Sequence, residues 1–461
     1  MRRSKYPYHW LVLVLSSFAM IFSACGDEEP ENPSLTLLSI TANGVPLVDG
    51  TINVATEVTF ELVFSSAIEA ARFVPAFSLS SSSGPVNDLM ISYSNASSKA
   101  VVSTTLEAAT TYQLRVSAGM LGQDNGILAQ AIERSFTTRD GGVITELPPC
   151  ISASNDCLGS KVITGTGGQS GAITFYNSYP LDLTNARWEN LTSAIIVIHG
   201  LNRDADNYFS YLINTLRQEN LEDQSILIAP FFQSASTAQG NELYWSDASW
   251  REGQNSDGAI NISSFTVLDQ IIAQLADQDR FPVLETIIIA GHSSGALFTQ
   301  AYAAANSSEN NYPNLNFRYV VANSQYFYYP DDVRYDEASS QFTPVSGCAA
   351  YNRWPLGFVA PPPYLSTSSE ATVDQQVVER KITYLLGNQD VVTTGTLNTS
   401  DCEAVLLGEN RFRRGENIFL LMETNYSATH QTEKIVVPGV GHNGQGMFQS
   451  PVFLSWLREK I

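Results

Sequence analysis

The sequence predicts an α/β domain, a mostly parallel sheet flanked by helices, preceded by a smaller all-β sandwich. Three observations carry this. Ile287-Ile288-Ile289 is an unbroken β-branched run, as a central strand buried on both faces requires. It passes through Gly291-His292-Ser293-Ser294-Gly295 directly into 296–304, which is rich in helix formers. Residues 35–138 instead hold short, nearly alternating runs at 58–64, 100–105 and 112–116, separated by turn signals such as Asp49-Gly50 and Asn125-Gly126. About a hundred residues of that kind suit an antiparallel sandwich.

The 461 residues exceed one ordinary core, and 44% hydrophobic against 15% charged residues describes a globular protein. Lys and Arg number 25 against 46 Asp and Glu, a formal charge of −21. Such a polyanion argues against nucleic acid and an anionic membrane surface as partners.

The first residues address the compartment. Arg2, Arg3 and Lys5 precede an apolar stretch at 11–22, shorter than the roughly 20 residues a spanning helix needs. It ends in Phe22-Ser23-Ala24-Cys25, which resembles a bacterial lipoprotein processing site. The resemblance implies a signal peptide over 1–24, lipidation of Cys25, and an outer-membrane lipoprotein held in the membrane by that lipid alone. Residues 25–34 read as an acidic, proline-containing tether. The acidic run also resembles the tag that carries some lipoproteins to the cell surface. A plain linker explains it equally well.

Residues 35–139, closing in Phe136-Thr137-Thr138, resemble bacterial Ig-like domains, which implies a spacer, with a binding module as the alternative. Residues 140–461 form the second domain. Beyond Cys25 it holds Cys150, Cys157, Cys348 and Cys402, an even number in an oxidising compartment. Of three possible pairings, Cys150–Cys157 with Cys348–Cys402 is favoured, because the first closes a short local loop.

A serine on a Gly-x-Ser-x-Gly turn sits in a strained conformation with its Oγ above the sheet. The next helix aims its free N–H groups at the same place. With a buried strand before it and a helix after it, the stretch at 286–305 resembles the nucleophile elbow of the α/β-hydrolase family. The resemblance implies Ser293 as nucleophile. It makes His199-Gly200, after the strand at 194–198, the start of an oxyanion loop, with the N–H groups of Leu201 and Ser294 as donors. Asp390, just past the strand at 381–386, becomes the acid, with Asp331 or Asp332 as the alternative position. Of five histidines, His9 lies in the signal, His199 in the oxyanion loop and His292 in the elbow. His442, in a glycine-flanked loop after the strand at 434–437, is preferred over His430 as the base. The order Ser293, Asp390, His442 is that of the family.

Trp245 and Trp250, in the loop 243–253, and Trp354, in the aperiodic stretch 326–364, could line a substrate cleft or seal loops onto the core. Serine ester hydrolysis through an acyl-enzyme is the implied activity. A serine peptidase or a non-catalytic surface binding protein is the alternative. The expected partner is an ester, an acylated polymer or a small lipid. No metal or organic cofactor and a monomeric state are expected.

Overall fold

The computed structural model describes residues 33–139, 144–183 and 185–461. The signal peptide, Cys25 and most of the tether lie outside the described residues. The chain divides after Asp140 into two compact units.

The first unit holds a small three-stranded sheet and two five-stranded ones. One centres on Glu57–Phe64, whose Val58, Phe60, Leu62 and Phe64 point inward while the intervening residues are at least partly exposed. It pairs antiparallel with Leu37–Ala42 and Lys99–Thr105. The other centres on Thr111–Val116, between Phe77–Ser81 and Ile132–Thr138. Phe60 and Tyr112, one from each sheet, both pack against Phe136, at 5.4 and 5.7 Å between ring centroids. The sandwich is not wholly antiparallel, since Thr51–Val54 runs parallel to Ile132–Thr138.

The second unit holds an eight-stranded sheet. Its strands are β1 (Leu158–Thr164), β2 (Ser170–Asn177), β3 (Ser193–Ile198), β4 (Ser225–Pro230), β5 (Thr286–His292), β6 (Asn316–Ala322), β7 (Ile382–Gly387) and β8 (Glu433–Val437). They lie in the order β1-β2-β4-β3-β5-β6-β7-β8, with β2 alone reversed. This is the α/β-hydrolase fold. β3, β4, β5 and β7 are buried at every position, which is why they read as continuous apolar runs.

Helices α1 (Ala205–Glu219), α2 (Ser264–Leu275), α3 (Ser294–Ala305), α4 (Glu370–Glu379), α5 (Arg411–Asn425) and α6 (Pro451–Lys460) connect or follow the strands. Strand alternation divides the core in two. Ile196, Ile198, Ile287 and Ile289 pack with α2 and α3, while Ile195, Val197, Ile288 and Ala290 pack with α1 and α6. α3 is buried along its whole length and apolar on nearly every side, as a helix enclosed in a core must be.

The stretch 326–364 contains a hairpin, Val333–Asp336 with Gln341–Pro344. The buried Arg334 organises it. Its guanidinium lies 4.1 Å from the centroid of the Tyr329 ring and donates to the carbonyls of Asp331 and Tyr351. The disulfides are Cys150–Cys157 and Cys348–Cys402. Among the described residues no helix is long and apolar enough to cross a membrane.

Candidate active site

β5 gives way to α3 within one residue. Ser293 takes φ 59° and ψ −118°, a conformation costing a non-glycine residue about 1–3 kcal/mol. Its neighbours make the turn tight enough to hold it there. A Cβ on Gly291 would stand 2.1 Å from the Gly295 carbonyl oxygen, and one on Gly295 would stand 2.2 Å from that of Ile198. The Ser293 N–H donates to the Ala322 carbonyl at the end of β6, 3.0 Å away, and fastens the turn to the sheet.

His442 Nε2 lies 3.0 Å from Ser293 Oγ, and its Nδ1 lies 2.7 Å from Asp390 Oδ2. With Nδ1 protonated, the ring donates to the buried carboxylate and accepts from the serine hydroxyl. The loops carrying Asp390 and His442 are joined along their length. Asn388 N–H donates to the Val437 carbonyl and Gln389 N–H to that of Val440, while Asn388 Oδ1 accepts from Gly439 N–H. Asn323, buried at the end of β6, spans both. Its Oδ1 accepts from Gly387 N–H at 2.8 Å, and its amide donates to the Gly441 carbonyl at 2.9 Å. The rival groups are occupied elsewhere. Asp331 accepts from Asn425, Asp332 from the Tyr351 hydroxyl, and the His430 ring is bonded to Thr432.

The loop after β3 is set from below by His199, which is fully buried. Its Nδ1–H donates to the Gly200 carbonyl at 2.8 Å, and Nε2 accepts from Phe232 N–H at 3.1 Å. Burial pushes its pKa down to about 4, so both bonds are those of a neutral ring. In a planar trans peptide the C=O and the following N–H point in opposite directions. Holding the Gly200 carbonyl against His199 therefore turns the Leu201 N–H the other way. Arg203 straps the same loop by donating to the carbonyls of Phe232 and Gln233, each at 2.7 Å. Ser294 is the first residue of α3, where backbone N–H groups have no partner in the helix. The contact of Gly295 with the His199 carbonyl brings the chain leading into Leu201 against that first turn.

Two residues beyond the sequence reading belong to this architecture. One is Asn323. The other is His292, which the sequence placed merely inside the elbow. Its Nδ1 is 2.9 Å from the hydroxyl of Tyr208 on α1, and its ring centroid is 4.7 Å from that of His442. Burial, then the nearby His442 and Arg411, hold its pKa well below the usual histidine range, so a neutral ring stands against His442. The signal was strand parity: His292 shares the face of Ile288 and Ala290, which is the face α1 covers.

The tryptophans divide. Trp245 and Trp250 are fully buried and line no cleft. Trp245 donates to the Gln254 carbonyl, and Trp250 stacks on Phe232 at 5.3 Å, so both seal their loop onto the core. Trp354 donates to the Glu252 carbonyl and borders a 170 Å³ cavity with Arg251, Tyr326, Arg353 and Asn398. Arg251, in that lining, has its Nη1 3.4 Å from the Oγ of Ser294, the residue after Ser293.

A family model described as a bacterial Ig-like domain matches residues 39–138. The first unit is a bacterial Ig-like domain. No curated protein matches the chain. Among solved structures, a poly(3-hydroxybutyrate) depolymerase from Bordetella parapertussis is similar at 18% identity over 63% of this chain and 85% of that one, with a TM-score of 0.44. Poly(aspartic acid) hydrolase-1 from Sphingomonas sp. KT-1 shares 20% identity over 63% and 96% of the respective chains, with a TM-score of 0.45. An S-formylglutathione hydrolase from Agrobacterium tumefaciens shares 11% over 66% and 94%, with a TM-score of 0.34. At such identities a common fold does not imply a common reaction.

Proposed function

We propose that the second unit hydrolyses carboxylic esters through an acyl-enzyme on Ser293. The observation that carries this is the continuous path from Asp390 Oδ2 through His442 to Ser293 Oγ, at 2.7 and 3.0 Å. As Oγ attacks the ester carbonyl carbon, His442 Nε2 takes its proton. Asp390 keeps the ring in the needed tautomer and stabilises the imidazolium. The oxyanion forms between the N–H groups of Leu201 and Ser294, each worth about 3 kcal/mol to the transition state. His442 then gives its proton to the departing alcohol oxygen as the C–O bond breaks. Water, activated by the same ring, releases the acid. The 170 Å³ cavity beside Arg251 offers room for one substituent of the ester.

Labelling with a fluorophosphonate, together with turnover of a short-chain p-nitrophenyl ester, tests the reading. Ser293→Ala is expected to abolish labelling. Loss of Ser293 or His442 is expected to lower kcat by roughly 10⁴-fold or more, and Asp390→Asn somewhat less. Full activity of Ser293→Ala, in a sample free of other esterases, would sink the proposal.

The same proposal places the protein on a membrane through lipid on Cys25, on the strength of Phe22-Ser23-Ala24-Cys25 after the apolar stretch. A fatty-acid probe should label the wild type and spare Cys25→Ser. Equal labelling of the two excludes the anchor.

A further inference from the structure

Behind the triad lies a cation that the reaction scheme does not use. α5 begins at Arg411, capped by the Asn410 side chain, which accepts from Arg413 N–H. Its second residue, Phe412, donates its N–H to the Asp390 carbonyl at 3.1 Å, so the start of the helix is fastened to the acid's own backbone. The Arg411 side chain is 4% exposed and the Asp390 side chain 0%. Arg411 Nη1 stands 3.8 Å from Asp390 Oδ1, and Nη2 donates to Thr396 Oγ1 at 2.9 Å. The two carboxylate oxygens thus have different neighbours. Oδ2 receives the His442 Nδ1–H, whereas Oδ1 receives no hydrogen bond among the described residues and faces the guanidinium.

The groups around the His442–Asp390 pair are few. β5 contributes the neutral His292 at 4.7 Å between ring centroids, the elbow contributes Ser293, and α5 contributes Arg411. Tyr326 is the further titratable group that Arg411 feels. Asp390 is the anion that faces the ring.

We propose that Arg411 is a positioning residue that sets the proton affinity of the His442–Asp390 pair, keeping His442 free to act as base at a lower pH than the carboxylate alone would allow. A buried carboxylate against an imidazole favours the imidazolium, and in a dry site that attraction is strong. An imidazolium cannot take the serine proton. The guanidinium on the far oxygen offsets part of the attraction and disfavours a second positive charge nearby. It does so from behind the acid, on the oxygen that His442 does not use. It also holds the carboxyl so that Oδ2 is the oxygen presented to His442.

The inference rests on the triad reading, and the test separates the two. The pH dependence of kcat/KM on a small soluble ester, and of the rate of fluorophosphonate labelling, is measured on the full chain. The variants are Arg411→Gln, Arg411→Met, Arg411→Lys and Thr396→Val. In the neutral variants the acidic limb is expected to move up by about one pH unit while the serine still labels. Arg411→Lys should return the limb most of the way. Thr396→Val, which removes a hydrogen bond of Arg411 but no charge, should leave it in place. A folded neutral variant with an unmoved limb overturns the proposal. So does loss of folding in both neutral variants but not in Arg411→Lys, because the cation would then serve the structure and not the base. Failure of every variant to label, Thr396→Val and the wild type included, would fault the triad reading instead.

Discussion

His199 shows how much one buried side chain can decide. Each of its ring nitrogens has one partner, and neither is Ser293, yet one of those bonds orients the peptide whose N–H would meet the proposed oxyanion. The ring must be neutral for both bonds to stand. Unfolded, it takes a proton near its ordinary pKa of 6.5; folded, only near 4. Between those values the unfolded chain holds more protons. The contribution is therefore fully present above pH 6.5 and is lost as pH falls toward 4, about 3 kcal/mol in all. His199→Phe keeps the bulk and removes both bonds. It should lower kcat on a model ester at least about tenfold with little change in KM. It should also flatten the fall in the urea midpoint of the second unit between pH 6.5 and 4. An unchanged kcat, or an unchanged slope, would remove His199 from this role. Ser293, Asp390 and His442, which the fold brings within hydrogen-bonding distance of one another, could be singled out in the sequence because each stands in its own strand-end setting. His292 and Asn323 were not, because what defines them is a distant partner, Tyr208 in one case and Gly441 in the other. A tryptophan in a polar loop reads alike whether it faces a cleft or the core, and Trp245 and Trp250 face the core.

At the scale of the element, strands buried on both faces announce themselves as apolar runs, and those open on one face show where they alternate strictly, as Glu57–Phe64 does. β3, β4, β5 and β7 are unbroken apolar runs. β1 and β2 pair antiparallel at one edge of the sheet, and Val162 on β1 is 60% exposed, so β1 shows no unbroken apolar run in the sequence. The hairpin at 333–344 escaped for another reason. It coheres through Arg334 between aromatic rings and backbone carbonyls, an arrangement without period. The loops after β7 and β8 make one unit, zipped by backbone bonds and closed by Asn323. Asp390 and His442 are thereby held in register with each other. The serine in turn is fixed to β6 through its own N–H. Three strand ends share one scaffold, and the geometry of the site follows from the sheet.

For the whole molecule, the division after Asp140 separates the Ig-like unit from every residue assigned to the reaction. A chain cut to 144–461 should therefore fold and keep its kcat on a small soluble ester. A hundredfold loss in correctly folded protein would show that the first unit shapes the site. The charge of −21 remains a property of the whole sequence and argues against polyanionic partners.

The bond between Cys348 and Cys402 has a further consequence. It joins positions 54 residues apart and restricts the unfolded chain by about 4 kcal/mol on the entropic account. One side of the cavity, with Ala350, Arg353 and Trp354, precedes Asp390 in the chain; the other, with Asn398, Asp401 and Glu403, follows it. The staple ties these two sides together without touching Ser293 or His442. A change at the exposed Arg353 would therefore alter the lining while the frame stays in place, whereas Asn398, whose side chain bonds Tyr326 and Asp401, belongs to the frame itself.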